Sequence, residues 1–333
     1  MIFSTEVNLN DWQQVLDQAD LANVFHTPDY FEAQTSPEVG HELLYMCCYD
    51  EGRPVGIIAG YQNTSGYHEG LVEVGTKSGG YPLLVNDYDR RPDADEIKNA
   101  FIRRYVEHYL ERRPFVFYPC FHMQQSDFDR GYSACTRQLD SCAFIDLRQD
   151  EEVLWRNLRD KGRNMVRGAQ RKGVTTRIGG SGELFDRFYD LYRGLRQRLN
   201  AGYIGYEELR LKYDLFTTRG LADFWVAYHE DVPIAFNFMW TCKRQLNYIY
   251  NASDPDFLNL GPNNLLQWDM MLHYKKLGFE TYNLWGLRNM HLDDDQGLAE
   301  NRPIEGYGKF KLSLGADVVD LVRFVKLTGG EQR

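Results

Sequence analysis

The segment YHEDVP at residues 228–233 repeats the pattern of an earlier segment, YDEGRP at residues 49–54. Both copies spell Tyr-x-Glu-x-x-Pro, and in both a β-branched residue and an apolar run follow. A short polar turn between two apolar runs predicts a β-hairpin. The repeat is compatible with an ordinary hairpin that occurs twice and with a duplicated module.

The order of the predicted elements around the two hairpins is the same. The first hairpin is followed by the strand LVEVG, the helix DEIKNAFIRRYVEHYLERR and the strand FVFYPC. The second is followed by the strand QLNYIYNAS, the helix PNNLLQWDMMLHYKKLG and the strand TYNLWG. Pro262 in the first turn and Gly278 at the end are typical helix boundaries. The shared order favours duplication of an α/β module over chance repetition.

Length and composition indicate a globular protein with two cores. The chain has 333 residues, which is comfortable for two domains of typical size. Its apolar runs are too short to span a bilayer, and the N-terminal MIFSTEVNLNDW lacks the features of a signal peptide. We therefore expect a cytoplasmic protein without membrane insertion. The six cysteines show no CxxC spacing and are expected to be buried thiols.

The net charge of −10 argues against a DNA-binding protein or a general nucleic-acid binder. One segment, from Trp155 to Arg177, is strongly basic, and its arginines recur at helical spacing from Arg156 onward. Such a stripe usually faces solvent, but in an acidic protein it could also dock a polyphosphate or a tRNA acceptor stem. The residues proposed for docking are Arg163, Arg167, Arg171 and Lys172.

Three segments of the second half resemble one known family. They are the basic helix RNMVRGAQRKGV, the run from YIYNASDPDF to TYNLWG, and Phe310-Lys311-Leu312-Ser313-Leu314-Gly315, which is similar to a Phe-Lys-x-x-Phe-Gly signature. The chain resembles the FemABX aminoacyl transferases and the related BioF-associated acetyltransferase-like domains of the GNAT superfamily. Residues 150–325 carry the resemblance well and the first half only in outline. Leu314 departs from the signature, and the coiled-coil arm of the cell-wall members has no counterpart, which loosens any link to peptidoglycan.

The resemblance implies an α/β (α+β) fold of two tandem GNAT-like modules, each a mixed, mostly antiparallel sheet flanked by helices. We place the first at residues 1–148, as a degenerate module on the acceptor side. The second, at residues 149–333, is expected to be the catalytic module on the donor side. The paired hairpins would place a cleft between the two modules.

The candidate catalytic residues lie in the second half. In the family the lysine that matches Lys311 is implicated in stabilising negative charge on the carbonyl oxygen, although a solvent-exposed lysine on a strand is the alternative. Asp254 could act as a base or orient the amine, and it is equally suited to a turn. Tyr250 alternates with Tyr248, so one face of the strand would carry two phenols that line the acceptor cleft or simply pack.

A turn before the helix of the second half is the candidate donor site. Asn259, Gly261, Asn263 and Asn264 lie at a helix N-terminus, whose free N–H groups and positive dipole end suit a phosphate or carboxylate. Proteins of this superfamily that bind coenzyme A usually have several glycines there. Here only Gly261 is present and Pro262 removes one donor, so the pyrophosphate cradle is weakened. An ordinary helix that starts with proline is the alternative.

We expect no metal site, because the acidic loop His291–Asp295 lacks a spaced set of ligands. The function implied is an N-acyltransferase that forms an amide by direct attack, without a covalent enzyme intermediate and without a tightly bound cofactor. The expected donor is aminoacyl-tRNA, and the acceptor is an amine of a peptide, a cell-wall precursor or a natural product. Two alternatives stay open: an acyl-CoA-dependent N-acyltransferase of an amino sugar or other small amine, and a non-catalytic tandem-GNAT binding protein.

Overall fold

The structure is a computed structural model that describes residues 1–64, 68–120, 135–287, 304 and 306–327. The described residues form two compact units. The first contains residues up to Ser141 and those from Asp320 onward, and the second contains the described residues from 142 to 287 and from 304 to 319. This partition differs from a single division at Arg148, because the last strand ends in the first unit. None of the described helices is long and apolar enough to cross a membrane.

The described elements are strands and helices distributed over both units. The strands are β1 (Ile2–Ser4), β2 (Glu42–Asp50), β3 (Arg53–Gln62), β4 (Val72–Val74), β5 (Leu83–Leu84), β6 (Phe115–Phe117), β7 (Thr136–Asp146), β8 (Thr175–Ile178), β9 (Ala222–His229), β10 (Val232–Cys242), β11 (Gln245–Ser253), β12 (Thr281–Gly286) and β13 (Asp317–Lys326). The α-helices are α1 (Leu9–Gln18), α2 (Pro28–Thr35), α3 (Asn86–Asp89), α4 (Ala94–Tyr105), α5 (Glu151–Asn157), α6 (Asp160–Arg171), α7 (Gly182–Arg198), α8 (Tyr206–Thr218), α9 (Pro262–Lys276) and α10 (Gly306–Ser313). Two 3₁₀ helices, Val24–His26 and Pro255–Leu260, and a π-helical turn, Val106–Leu110, accompany them.

Each repeated segment forms a hairpin with a two-residue turn. Glu51 and Gly52 have φ angles of 48° and 80°, and Glu230 and Asp231 have φ angles of 50° and 61°. Positive φ at both central residues matches the right-handed twist of the flanking strands, as in type I′ turns. The hairpins predicted from the sequence are therefore confirmed, and their turns have the same handedness.

The two hairpins also share a β-bulge at the same place. In the first, Tyr49 pairs with Pro54 and the register then shifts, so that Val55 is the extra residue. In the second, Tyr228 pairs with Pro233 and the register shifts over Ile234. A bulge inserts one extra residue into a strand and so changes which side chains beyond it face each side of the sheet. The same bulge at the same position in both hairpins supports duplication of the module.

The sheet of each unit has the same connectivity. In the first unit β2, β3 and β4 form an antiparallel meander, and β4 pairs with β6 in parallel after α4. In the second unit β9, β10 and β11 form the meander, and β11 pairs with β12 in parallel after α9. The order strand, turn, strand, strand, helix, strand is confirmed in both halves.

The core of the second unit lies on both faces of its sheet. Helix α9 covers one face with Leu266, Met270 and Tyr274, which recur every four residues and are at most 1% exposed. Helices α7 and α8 cover the other face with aromatic side chains such as Phe188 and Phe216. These helices hold the central strands in place, and the carboxyl ends of those strands carry the candidate site.

Candidate functional site

Strands β11 and β12 separate after a short parallel contact. They pair from Gln245 with Thr281 to Asn247 with Asn283, and the structure describes no pair between them beyond that point. Beyond it β11 stays paired with β10 as far as Ser253, and β12 stays near β7 as far as Gly286. Where the two strands separate, the backbone N–H and C=O groups on their facing edges are not bonded to the neighbouring strand. They can therefore bind a ligand.

Lys311 lies in α10, and its side chain contacts the end of β12. Its side chain is buried, with the residue only 7% exposed, and its Nζ donates a hydrogen bond to the carbonyl oxygen of Gly286 at 2.7 Å. The ammonium also lies 5.1 Å from the ring centroid of Tyr307. The alternative of a solvent-exposed lysine on a strand is wrong, because residues 306–313 form helix α10. The signature lysine therefore places a buried amine where the two strands diverge.

Two glycines allow α10 to approach so closely. A Cβ on Gly308 would lie 2.4 Å from the carbonyl oxygen of Leu287. Gly315 has a φ of 82°, and a Cβ there would lie 2.8 Å from the carbonyl oxygen of Asn157. Gly308 and Lys311 are three residues apart in the helix, so they share one side of it. Gly308 thus lets α10 pack onto the end of β12, and Gly315 lets the chain that follows pack against the end of α5.

Asp254 follows β11 and starts the 3₁₀ helix Pro255–Leu260 as its N-cap. Its Oδ1 accepts a hydrogen bond from the amide of Asp256 at 3.1 Å, and its Oδ2 accepts one from Arg187 at 3.1 Å. Arg187 also donates to the carbonyl oxygen of Pro233 in the repeated hairpin at 2.9 Å. Both carboxylate oxygens have partners, which favours a turn residue over a base.

The candidate donor turn is packed against α6. Gly261 has a φ of 77°, and a Cβ there would lie 3.1 Å from the carbonyl oxygen of Met165. The carbonyl oxygen of Asn259 accepts a hydrogen bond from Lys172 at 2.9 Å, and Oδ1 of Asn263 accepts one from Ser253 at 2.7 Å. The Asn259 carbonyl and the Asn263 side chain of this turn are therefore held by the protein itself.

Gly162 of α6 brings the donor turn and the lysine helix together. A Cβ on Gly162 would lie 3.4 Å from the carbonyl oxygen of Ser313 in α10 and 3.9 Å from Nδ2 of Asn264 in α9. The amide of Arg159 donates to the same Ser313 oxygen at 3.0 Å. The structure thus brings the N-terminus of α9 and the C-terminus of α10 to one point on α6.

The basic segment is two helices, so its arginines do not form one continuous stripe. Helix α5 ends at Asn157, and Arg163 of α6 donates to the carbonyl oxygens of Arg156, at 2.7 Å, and Leu158. Arg163 also forms an ion pair with Asp160. Its guanidinium thus bonds the carbonyl oxygens at the break between the two helices. The helical spacing of the arginines in the sequence did not indicate this structural role.

Arg167 and Arg171 are exposed on α6. The guanidinium of Arg167 lies 5.1 Å from the ring centroid of Trp155, which in turn packs edge-on against Trp268 with centroids 4.8 Å apart. Arg167, Arg171 and Lys172 are the proposed docking residues that solvent reaches, whereas Arg163 is partly buried.

Tyr248 and Tyr250 lie on opposite faces of the sheet, so the expected pair of phenols on one face is wrong. The register between β10 and β11 shifts after Phe238, which pairs with Tyr250, and Met239 pairs with Tyr248. Ile249 is the extra residue of this bulge. Tyr248 is buried under α9, and burial raises the pKa of its phenol. Tyr250 packs against Tyr192 of α7, with ring centroids 6.0 Å apart.

The sequence reasoning missed three residues at the end of β12: Asn283, Trp285 and Gly286. The only signal for them was an asparagine inside the apolar run TYNLWG. The acidic loop His291–Asp295 lies outside the described residues. Among the residues that the structure does describe, no group of three or more His, Cys, Asp or Glu side chains is placed to hold a metal ion.

The sequence of the second half matches a known domain family. Residues 156–293 match the family described as acetyltransferase (GNAT) domain. No curated protein sequence matches the chain.

Several solved structures share the fold along nearly the whole chain. The crystal structure of FemX has a TM-score of 0.74 at 12% identity and covers 98% of both chains. The structure of L-PGS from Bacillus licheniformis has a TM-score of 0.56 at 12% identity and covers 96% of this chain and 92% of its own. A tandem GNAT protein from the clavulanic acid biosynthesis pathway has a TM-score of 0.55 at 13% identity and covers 99% of both chains.

The strand order, the paired modules and the family match agree with the resemblance noted in the sequence, which is confirmed. At these low identities the solved structures establish the fold, and the family match supports an acyltransferase domain at residues 156–293. The second half of the chain therefore carries an acyltransferase domain of the GNAT family, and the chain has the fold of FemX-like tandem GNAT proteins.

Proposed function

We propose that this acyltransferase forms an amide bond by transferring an aminoacyl group from a charged tRNA to an amine. The observation that carries the proposal is the construction of the donor turn. It has one glycine, Gly261, followed by Pro262, and α6 contacts it through Met165 and Lys172. A pyrophosphate cradle needs several backbone N–H groups that converge on the ligand. A turn with one glycine and a proline that lacks an N–H offers few such donors, which supports a donor other than a pyrophosphate-containing one.

The charges near the turn suit a polyanionic donor. Arg167, Arg171 and Lys172 are exposed on the helix that contacts the turn, in a protein whose net charge is −10. Local cations attract phosphates even when the whole molecule is acidic. FemX, L-PGS and the C-terminal domain of a putative lysylphosphatidylglycerol synthetase share the fold of this chain. They support aminoacyl transfer as the class of reaction.

The reaction requires no enzyme nucleophile. The nitrogen lone pair of the acceptor attacks the ester carbonyl, a C–N bond forms, and the C–O bond to the tRNA breaks as its terminal hydroxyl leaves with the proton from the amine. Negative charge develops on the carbonyl oxygen during the attack. We propose that the buried ammonium of Lys311 stabilises that charge, which a fixed cation does most effectively in a site of low dielectric. Tyr250 is proposed as part of the acceptor wall, and Asp254 as the residue that fixes the turn.

An acyl-CoA-dependent N-acyltransferase is the second candidate. The amides of Asn263 and Asn264 lie in the first turn of α9, and the similar tandem GNAT protein is described with reference to AcCoA. This alternative predicts saturable binding of acetyl-CoA.

The test compares the two donors on the intact chain. The protein is incubated with a panel of radiolabelled aminoacyl-tRNAs and amine acceptors, and amide product is separated from free amino acid. Acetyl-CoA binding is measured in parallel by calorimetry. We expect acceptor-dependent loss of the label from one class of tRNA and no saturable binding of acetyl-CoA at millimolar concentration. Saturable acetyl-CoA binding without any use of charged tRNA would select the second candidate.

A further inference from the structure

The end of β12 contains a residue with an unusual backbone. Trp285 has a φ of 68°, and the pairing of β12 with β7 shifts between Asn283 and Gly286. The other described non-glycine residues with positive φ lie in turns, whereas Trp285 lies inside a strand. A bulky residue adopts this conformation only where its surroundings hold it.

Asn283 provides that support. It is fully buried, and its Oδ1 accepts a hydrogen bond from the amide of Trp285 at 2.8 Å. This is the local turn that asparagine forms with the residue two positions later. The bulge is therefore built by the side chain of Asn283 together with the backbone.

A second buried asparagine orients the first. Nδ2 of Asn283 donates a long hydrogen bond, 3.5 Å, to Oδ1 of Asn247, the residue directly opposite it in β11. Asn247 is held in turn by Gln245, whose Nε2 donates to the same oxygen at 3.0 Å, and it donates to the carbonyl oxygen of Trp240 at 3.3 Å. These amides lie at the last pair of β11 and β12 before the strands separate.

The bulge ends at the residue that binds Lys311. Gly286 follows Trp285 directly, and its carbonyl oxygen is the acceptor for Nζ of Lys311 at 2.7 Å. Because the backbone angles of Trp285 set the direction of the chain into Gly286, the position of that carbonyl depends on the bulge. The contacts thus run without interruption from Asn247 through Asn283 and Trp285 to Lys311.

We propose that Asn283 is a positioning residue that sets the location of the Lys311 ammonium through the bulge at Trp285. The proposal rests on the function proposed above, in which that ammonium stabilises the oxyanion. It assigns a role to a buried amide that does not itself contact the substrate. Loss of the amide moves the cation, and a displaced cation stabilises the transition state less.

The test uses the full-length chain with Asn283→Ala and Asn283→Ser. Serine can accept a hydrogen bond from the amide two residues later, but more weakly than asparagine, so the variants form a graded series. The first readout is the rate at which Lys311 is acylated by trace acetic anhydride, measured by mass spectrometry relative to the exposed Lys309 of the same helix. We expect that ratio to rise from the natural protein through Ser to Ala. The second readout is kinetic: kcat falls by as much as about 100-fold in the alanine variant, with KM for the donor unchanged.

Two further variants separate positioning from simple stability. Asn237→Ala removes another fully buried asparagine of the same unit, which contacts Met270 on α9. It is expected to lower stability without changing the Lys311 labelling ratio or kcat. Trp285→Gly combined with Asn283→Ala is expected to bring the labelling ratio back toward that of the natural protein, because glycine adopts a positive φ without help.

The labelling ratio is independent of the reaction. If Asn283→Ala labels like the natural protein, or if Asn237→Ala raises the ratio as much, the positioning role is refuted. If the natural protein transfers no aminoacyl group while the labelling series behaves as expected, the proposed function fails and the positioning of Lys311 stands. Should the alanine variant not fold, the serine variant and the Trp285→Gly combination carry the same comparison.

Discussion

Lys311 is the residue whose replacement should affect catalysis most. Lys311→Met keeps the length and apolar stem of the side chain and removes its charge and its hydrogen bond to Gly286. We expect kcat to fall by about 100-fold or more, the cost of losing one oxyanion donor, with little change in KM for the donor. Steady-state kinetics with the donor identified by the panel assay would measure this.

The matched control for that variant is Lys309→Met. Lys309 is exposed and lies in the same helix. The change makes the same difference in charge and hydrophobicity, and we expect kinetics like those of the natural protein. Equal losses of kcat in both variants would contradict a specific role for Lys311.

Asp269 on α9 should make stability depend on pH. Burial raises the pKa of its carboxyl, and a hydrogen bond from Thr176 at 2.6 Å opposes that rise only in part. Because the folded-state pKa exceeds the unfolded one, the folded state favours the protonated form. The stability that this proton contributes is present below the unfolded pKa and is lost as pH rises through the folded pKa.

Asp269→Asn removes the buried charge and keeps an acceptor for Thr176. We therefore expect a higher free energy of unfolding than in the natural protein at neutral pH and no difference near pH 3, measured by urea unfolding. A gain that persisted undiminished at pH 3 would show that ionisation is not its cause.

Gly261 is required by its backbone and by its neighbour. Gly261→Ala would place a methyl group 3.0 Å from Cε and 3.1 Å from the carbonyl oxygen of Met165, at a φ of 77°. We expect a loss of about 2 kcal/mol in the free energy of unfolding, mostly from the left-handed conformation. Gly202→Ala is the control, since nothing lies within 4 Å of the added carbon.

At the scale of the element, the two repeated hairpins allow a paired test. Gly52 has a φ of 80° with open space around it. Gly52→Ala should therefore lower the free energy of unfolding by the cost of the left-handed conformation alone, about 1 kcal/mol. Asp231 occupies the same turn position in the second hairpin with a φ of 61°. Asp231→Gly should raise the melting temperature there, because its exposed ion pair with Arg177, at 3.6 Å, contributes little. If both substitutions changed stability in the same direction, the two turns would not be equivalent.

The elements themselves could be predicted from the sequence, but the irregularities inside them could not. Apolar alternation and turn residues are local properties, so the strands of both meanders and the helix that starts at Pro262 were predicted correctly. The bulge at Ile249 inserts one residue without any local signal, and it moved Tyr248 to the opposite face from Tyr250. The break at Leu158 is closed by a side-chain contact from the next helix, the guanidinium of Arg163, which helical spacing alone did not indicate.

The candidate site could likewise be predicted only where its residues belong to local motifs. Lys311 and the turn around Gly261 could be named from their motifs, because each motif is contiguous in the chain. Asn283 could not, because its importance depends on a bulge and on an asparagine in another strand. The helical state of residues 306–313 was also missed, since the short segment carries no clear periodicity.

At the scale of the whole molecule, duplication raises the question of whether both units bind a donor. In the first unit the amide of Tyr118, just after β6, donates to the carbonyl oxygen of Val74 at 2.9 Å, and its carbonyl oxygen accepts from the amide of Tyr81 at 3.0 Å. Tyr81 thus continues the pairing where β4 ends. A Cβ on Gly80 would lie 2.0 Å from the carbonyl oxygen of Pro119. In the first unit the chain itself thus occupies the place where, among the described residues, β11 and β12 of the second unit have no pair.

We therefore expect one donor molecule per chain. Calorimetric titration with the donor, or with a non-hydrolysable analogue of the charged tRNA end, should give a stoichiometry close to one. Lys311→Met should leave that stoichiometry unchanged. Two equivalent sites would contradict the idea that the first unit has lost its donor opening.

The early separation of β11 from β12 has a consequence for amide hydrogen exchange. From Tyr248 to Ser253 strand β11 is paired with β10 on one side, while its partnership with β12 ends at Asn247. Amides on the edge that faces away from β10, where the structure describes no pair with β12, should exchange with solvent deuterium faster than those bonded to β10, although both belong to the same strand. A ligand that lies between the strands would slow only the fast set. The strand thus provides its own internal reference for occupancy of the site.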